Sequence, residues 1–353
     1  MPSLASRTAW VESLSPWPEE FGLDRMRALL ADLGDPQRAF PAIHVVGTTG
    51  KGTAVRTIEE LLAGEGLRVG AYLSPHVSGW SERIRVGGRE ADFEAALDRV
   101  YPHAEGATQF EVLTAAAFAE FAEFGVEVAV VEAGLGGRLD GTNVLDASMV
   151  LLTNVALEHT EVLGDTREAI AREKLAVVVR GATVVLPDRE FEHLVANAQV
   201  VVGGAREAAE IFLGRPIVRE VEVSLPGRFE QRPRGEIWDG AHTPEAVDWL
   251  LERLPGGDYV LCVSILRDKD VDAILERLVR AGDKLIATQS SNPRSLGAEE
   301  LAGHARRWFS EVDVVEDPLS ALARAREAGN PVLVTGSLYL LADLYRAEEH
   351  ESR

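Results

Sequence analysis

The chain is predicted to fold as a two-domain α/β protein with mainly parallel, doubly wound sheets, the boundary falling between residues 223 and 224. Three observations predict it. Short apolar strands alternate with helical stretches in both halves of the sequence, the pattern of βαβ units. At 353 residues the chain exceeds what one core usually organises, and 46% hydrophobic residues are enough to fill two. The stretch IHVVGTTGKGT, Ile43 to Thr53, reads as a buried strand running into a glycine-punctuated turn and then a helix.

Taken in order, residues 8–33 have the periodicity of two amphipathic helices around a loop at Pro16 to Pro18, with Leu23, Met26, Leu29 and Leu30 on one face of the second. After the first strand, Gly47, Gly50 and Gly52 permit backbone angles and close approaches that side chains forbid. The helix expected from Ala54 to Gly64 points its N-terminus back at this turn, where free N–H groups and the helix dipole favour an anion. Lys51 adds a full charge suited to the terminal phosphates of a nucleotide. The usual phosphate-loop pattern is matched incompletely: Val45 stands at its first glycine, and Gly52 separates Lys51 from the hydroxyl of Thr53. A purely structural turn is the competing reading of these residues alone.

Arg68 to Leu73 reads as a second strand ending in Ser74-Pro75-His76, where Ser74 either ligates through its hydroxyl or simply stops the strand. Residues 77–89 read as a polar loop carrying Trp80, Glu82 and Arg83, long enough to close over a ligand. Helices follow at Phe93 to Val100 and Phe110 to Phe124. The next apolar strand ends in Glu132, a carboxylate at the ligand edge of an open sheet, where it can hold magnesium against phosphates; a solvated strand end is the alternative. Met149 to Asn154 is another strand, and its loop brings Glu158, His159 and Thr160 to the same edge, with His159 either a metal ligand or a loop residue. A helix from about Thr166 to Val178 carries Lys174 directly before the apolar run LAVVV. A desolvated lysine has a lower pKa and a more reactive nitrogen, whereas an ion pair would make it ordinary. Strands at Thr183 to Leu186 and Gln199 to Val202 complete the sheet, and a helix at Ala205 to Phe212 and a mixed strand after Pro216 lead out of the domain.

The second half repeats the alternation, with strands near 236–238, 259–263, 284–288, 312–315 and 332–335, and helices beginning near Glu245, Val271, Gly297, Leu319 and Leu338. A net charge of −21 argues against nucleic acid or an anionic membrane as the main partner, so an anionic ligand must be met by local positive groups. Cys262, in the run YVLCV, excludes an intrachain disulfide and reads as a core thiol. The opening MPSLASRTAWVESL has no long apolar stretch, and no run approaches a membrane span, so a cytoplasmic location is the expectation.

The motifs GTTGKGT, YLSPH, EAGLGGRLDGTN, LEHTEVLG, REK, LPGRFE and DGAHTP, in this order and spacing from about Gly22 to Leu341, resemble the folylpolyglutamate synthase and dihydrofolate synthase family of the Mur ligase superfamily. The resemblance implies a Mur-ligase-type ATPase domain containing the phosphate loop, and a smaller Rossmann-like C-terminal domain. Gly47, Thr48, Thr49, Gly50, Lys51, Gly52 and Thr53 match the nucleotide loop. Ser74, Glu132 and His159 match magnesium ligands, and Lys174 matches a lysine that is often carbamylated and then supports a second magnesium. Arg228 matches an arginine offered to the nucleotide phosphates, while Asp239 and His242 match a pair facing the closing cleft. Thr49 and Thr243 stand where the family carries asparagine, and residues 203–225 are shorter than the family's segment by several tens of residues, including a helix that approaches adenine.

The implied reaction is ATP-dependent ligation. A folate or dihydropteroate carboxylate attacks the γ-phosphate, and the amine of L-glutamate then displaces phosphate from the acyl phosphate. Lys174, His159, Arg228 and His242 are the implied catalytic groups, ATP and magnesium the cofactors, and a monomer the expected state. Two alternatives remain open on sequence alone: a Mur-type ligase for another acid and amine, or a nucleotide-binding relative without ligase activity.

Overall fold

The computed structural model describes residues 6–351, with side chains through Glu348. Two compact units form: residues up to 223 except Val77–Gly79, and Ser224 onward together with Val77–Gly79.

In the first unit the strands are β1 (Ala42–Val46), β2 (Val69–Tyr72), β3 (Ile84–Val86), β4 (Arg89–Glu90), β5 (Val128–Glu132), β6 (Met149–Leu152), β7 (Thr183–Leu186) and β8 (Gln199–Val202). They lie in the order β4-β3-β2-β5-β1-β6-β7-β8, parallel except at the β2-β3-β4 edge. Every residue of β1, β2, β5 and β6 is buried, as expected of parallel strands covered on both faces. The register pairs Val45 with Glu132 and Val46 with Leu152, so the turn after β1, the carboxylate ending β5 and the loop after β6 leave the sheet at one edge. Helices at Lys51–Gly64, Gln109–Glu123 and Arg167–Leu175 pack on the sheet. Thr108 and Glu111 close the start of the second of these with a reciprocal capping box.

Two expectations change. The 77–89 stretch is not a plain loop: β3 and β4 add an antiparallel edge, the backbone N–H of Leu73 donates to Arg83 O at 2.9 Å, and Glu82 and Arg83 are buried. Strands of two and three residues leave too short an alternation to read. Residues 214–224 form no strand. Arg206 donates to the carbonyls of Ile217 (2.8 Å) and Arg219 (3.0 Å), so groups that a neighbouring strand would pair with are satisfied by one guanidinium.

The second unit has strands β9 (Glu230–Arg232), β10 (Glu236–Trp238), β11 (Val260–Val263), β12 (Lys284–Ala287), β13 (Glu311–Val314) and β14 (Val332–Thr335). Their order is β13-β12-β11-β14-β10-β9, parallel except for β9. Cys262 lies wholly inside this core with its thiol pushed up to about 12 by burial, which suits packing and not nucleophilic work.

Candidate active site

The turn after β1 is built by close approach. A Cβ on Gly47 would lie 1.9 Å from Thr153 Oγ1, so only glycine lets the chain turn against the loop that follows β6. Gly50, at φ +77°, caps the helix Lys51–Gly64 and aims its unpaired N–H groups at the sheet edge. Thr48 and Thr49 are tied to the neighbouring loop. Thr48 Oγ1 accepts from the N–H of Ala156 at 3.1 Å. Asn154 grips Thr49 twice, its Oδ1 accepting from the backbone N–H at 2.9 Å and its Nδ2 donating to the hydroxyl at 2.5 Å. The amide that Thr49 itself lacks is thus supplied from the adjacent loop.

The carbonyl of Gly47 gathers two ammonium groups. Lys51 Nζ donates to it at 3.1 Å and to Thr48 O at 3.3 Å, while Lys174 Nζ donates to the same oxygen at 2.9 Å. Glu132 stands beside them: its Oε1 lies 4.0 Å from Lys51 Nζ, and its Oε2 accepts from the backbone N–H of Ser74 at 3.0 Å. Ser74 Oγ accepts from Arg83 at 3.3 Å, and Arg83 Nε donates to His76 Nδ1 at 2.8 Å. A buried guanidinium therefore holds the strand-end serine in place.

Lys174 is 1% exposed and pairs with Glu158 at 2.6 Å. Burial lowers its pKa and Lys51 pushes the same way, against the opposing pull of Glu158. For Glu158, burial acts upward but the pairing with Lys174 wins and holds the carboxyl below its ordinary range. Gly137 fits directly against this helix, since a Cβ there would lie 2.6 Å from Lys174 O. His159 occupies the left-handed region (φ 43°) before a one-turn helix, Thr160–Leu163, with its side chain 48% exposed and its Nδ1 3.9 Å from Glu161. The structure thus brings Gly47, Lys51, Ser74, Glu132 and Lys174 together. His159 follows directly on the Glu158 that pairs with Lys174.

In the second unit, Asp239 is buried and braces a turn: its Oδ2 accepts from the N–H of Phe229 at 2.7 Å and its Oδ1 from that of Ala241 at 2.8 Å. Burial raises its pKa against those hydrogen bonds and the charge of Arg228. The bridge between Leu225 and Arg228 and the left-handed Phe229 (φ 50°) set the position of Arg228. His242 Nδ1 donates to Gly240 O at 2.7 Å, which fixes that nitrogen as the protonated one.

The sequence alone placed Glu158 in the right loop, Arg83 in a stretch able to close over a ligand and Asn154 at a strand end, without giving any of them a role. The site's hard oxygen donors, Glu132 and Ser74, suit magnesium, which is usually held by one or two carboxylates together with substrate phosphates. Among the described residues no group of three His, Cys, Asp or Glu side chains could hold a metal by itself. Nor is any helix among them long and apolar enough to cross a membrane.

Residues 227–338 match the Mur ligase, glutamate ligase domain. The chain is 32% identical to the dihydrofolate synthase/folylpolyglutamate synthase of Escherichia coli K12, over 96% of this chain and 94% of that protein. The structure of E. coli FolC in complex with DHPP and ADP superposes with a TM-score of 0.86 at 27% identity, covering 99% of both chains. The bifunctional folylpolyglutamate synthase/dihydrofolate synthase of Yersinia pestis, complexed with AMPPNP and a Mn ion, gives 0.85 at 28% identity over 98% of both chains.

Proposed function

The chain belongs to the dihydrofolate synthase/folylpolyglutamate synthase family, and on that premise we propose that it ligates L-glutamate to a folate-type carboxylate, dihydropteroate or tetrahydrofolate, at the expense of ATP. The observation that carries this reading is the pair of ammonium groups on the Gly47 carbonyl, beside a buried strand-end carboxylate. A carboxylate oxygen of the acid attacks the γ-phosphorus and ADP leaves. The glutamate nitrogen then attacks the acyl carbon, phosphate leaves with the electron pair of the C–O bond, and the nitrogen loses a proton.

Both steps gather negative charge on crowded oxygens, so preorganised cations and N–H groups lower the barrier, each by about 3 kcal/mol where one donor has been removed and measured. Lys51 and the N-terminus of its helix meet the β- and γ-phosphates. Glu132 and Ser74 would hold magnesium, with His159 the third ligand that the family resemblance implies; when bound, the ion neutralises phosphate charge. Burial and the charge of Lys51 lower the pKa of Lys174, which favours the neutral amine, the form that adds to carbon dioxide with loss of a proton to give a carbamate. That carbamate would supply an anion for a second magnesium. Glu158 keeps the unmodified side chain aimed at Gly47. The family resemblance assigns Arg228 to the nucleotide phosphates and Asp239 and His242 to the same reaction, and within its own unit Asp239 braces the turn that carries Arg228.

The test is phosphate release from ATP with dihydropteroate or tetrahydrofolate, with and without L-glutamate, and the mass of the product. Glutamate-dependent release with one added glutamyl mass is expected. A pteridine product that never gains that mass would overturn the reading.

A further inference from the structure

The buried strand β1 carries one polar side chain, His44, wholly inaccessible to solvent. Its Nε2 lies 2.8 Å from Thr142 Oγ1, and its Nδ1 has no hydrogen-bond partner. The Thr142 hydroxyl donates to Asp140 Oδ1 in a short contact, and the Thr142 N–H reaches the same oxygen at 3.0 Å. Asp140 Oδ2 accepts from the N–H of Leu135 at 2.7 Å. Both oxygens of Asp140 accept from N–H donors, so as a carboxylate it takes the Thr142 hydroxyl on Oδ1, and His44 then carries its proton on Nε2. A buried imidazole with one unmet nitrogen costs stability, and a hydrophobic residue would fill the strand without that cost.

The groups on this chain bracket the site. His44 sits three residues before Gly47, and Asp140 ties together the loop that leaves Glu132 and lays Gly137 against the backbone of Lys174. We propose that His44 is a positioning residue: its Nε2–H fixes the Thr142 hydroxyl on Asp140 and so locks the 134–142 loop against the helix bearing Lys174. The catalytic part of this inference rests on the proposed ligase activity. The hydrogen-bond relay itself does not.

Histidine-selective 15N labelling of the full chain, with His44 assigned by its loss in His44→Gln, reads the tautomer without substrate. The Nε2–H form is expected near neutral pH, and the Nδ1–H form would overturn the relay. In Thr142→Val, exchange of the Leu135 amide should quicken at least tenfold relative to Thr142→Ser; equal rates would sink the positioning role. In turnover assays, His44→Leu and Thr142→Val should each lower kcat about tenfold with the KM for ATP within twofold, and His44→Gln and Thr142→Ser should recover it to within threefold. The double variant should be no slower than the worse single one. Additive losses, or a lowered melting temperature with kcat unchanged, would refute the proposal. Should His44→Leu not fold, the Thr142 pair and the tautomer decide. A wild-type chain that forms no glutamyl product counts against the proposed function, while the tautomer and exchange readouts still judge the relay.

Discussion

Replacing His44 by glutamine should make the protein less sensitive to acid, by an amount that follows from burial. The imidazole is held neutral, its pKa pushed down from 6.5 to about 4 by desolvation. Because the unfolded chain binds the proton more tightly, it takes up more protons than the native chain between those two values. Stability is therefore complete above the unfolded pKa and is lost as the pH falls through the window. With about 1.4 kcal/mol per unit, the window is worth on the order of 3 kcal/mol, and about 2 kcal/mol of that is gone by about pH 5. Glutamine places an N–H near the same position but does not titrate. Urea unfolding at about pH 7 and about pH 5 should show wild type losing roughly 2 kcal/mol more than His44→Gln, read as a larger drop in midpoint at equal m-value. Asp140, whose pKa is raised by burial, contributes with the opposite sign. It is present in both proteins, so it cancels in the difference. Equal pH dependence in the two proteins would refute the claim that His44 is buried neutral.

Lys174→Ala should lower kcat by two orders of magnitude or more and also destabilise the fold, because Glu158 loses its partner. Adding Glu158→Gln should restore melting temperature but not turnover, and recovery of both would remove Lys174 from the mechanism. Intact mass at high bicarbonate should show a carbon dioxide adduct that Lys174→Ala lacks, with trapping chemistry used to fix the carbamate. Lys51→Ala should weaken ATP binding in calorimetry, and unchanged affinity with normal turnover would contradict the phosphate-loop assignment. Gly47→Ala forces a contact with Thr153 and should cost about 1–3 kcal/mol in urea unfolding. Pairing it with Thr153→Ala should recover part of that loss.

The α/β class and most elements were legible in the chain because buried parallel strands are short apolar runs and their helices carry a clear period. β1, β5 and β6 are such runs, and the glycines of the Gly47 turn mark where the backbone must bend. Motif order likewise pointed to Lys51, Ser74, Glu132 and Lys174. Periodicity could not reveal β3 and β4, whose pairing depends on the exposed edge of β2, nor the failure of residues 214–224 to pair, which Arg206 decides from another element. The partners were equally hidden. Lys174 meets Glu158 and Gly47, Thr49 meets Asn154, and His44 meets Thr142, across sequence separations from 16 to 127 residues. Local sequence carries propensity and burial, and so determined which residues were available for chemistry. The register of β1 between β5 and β6, like the pairing of β2 with β5 and the seat of the Lys174 helix, is a long-range property, and these decided which of them meet at one sheet edge.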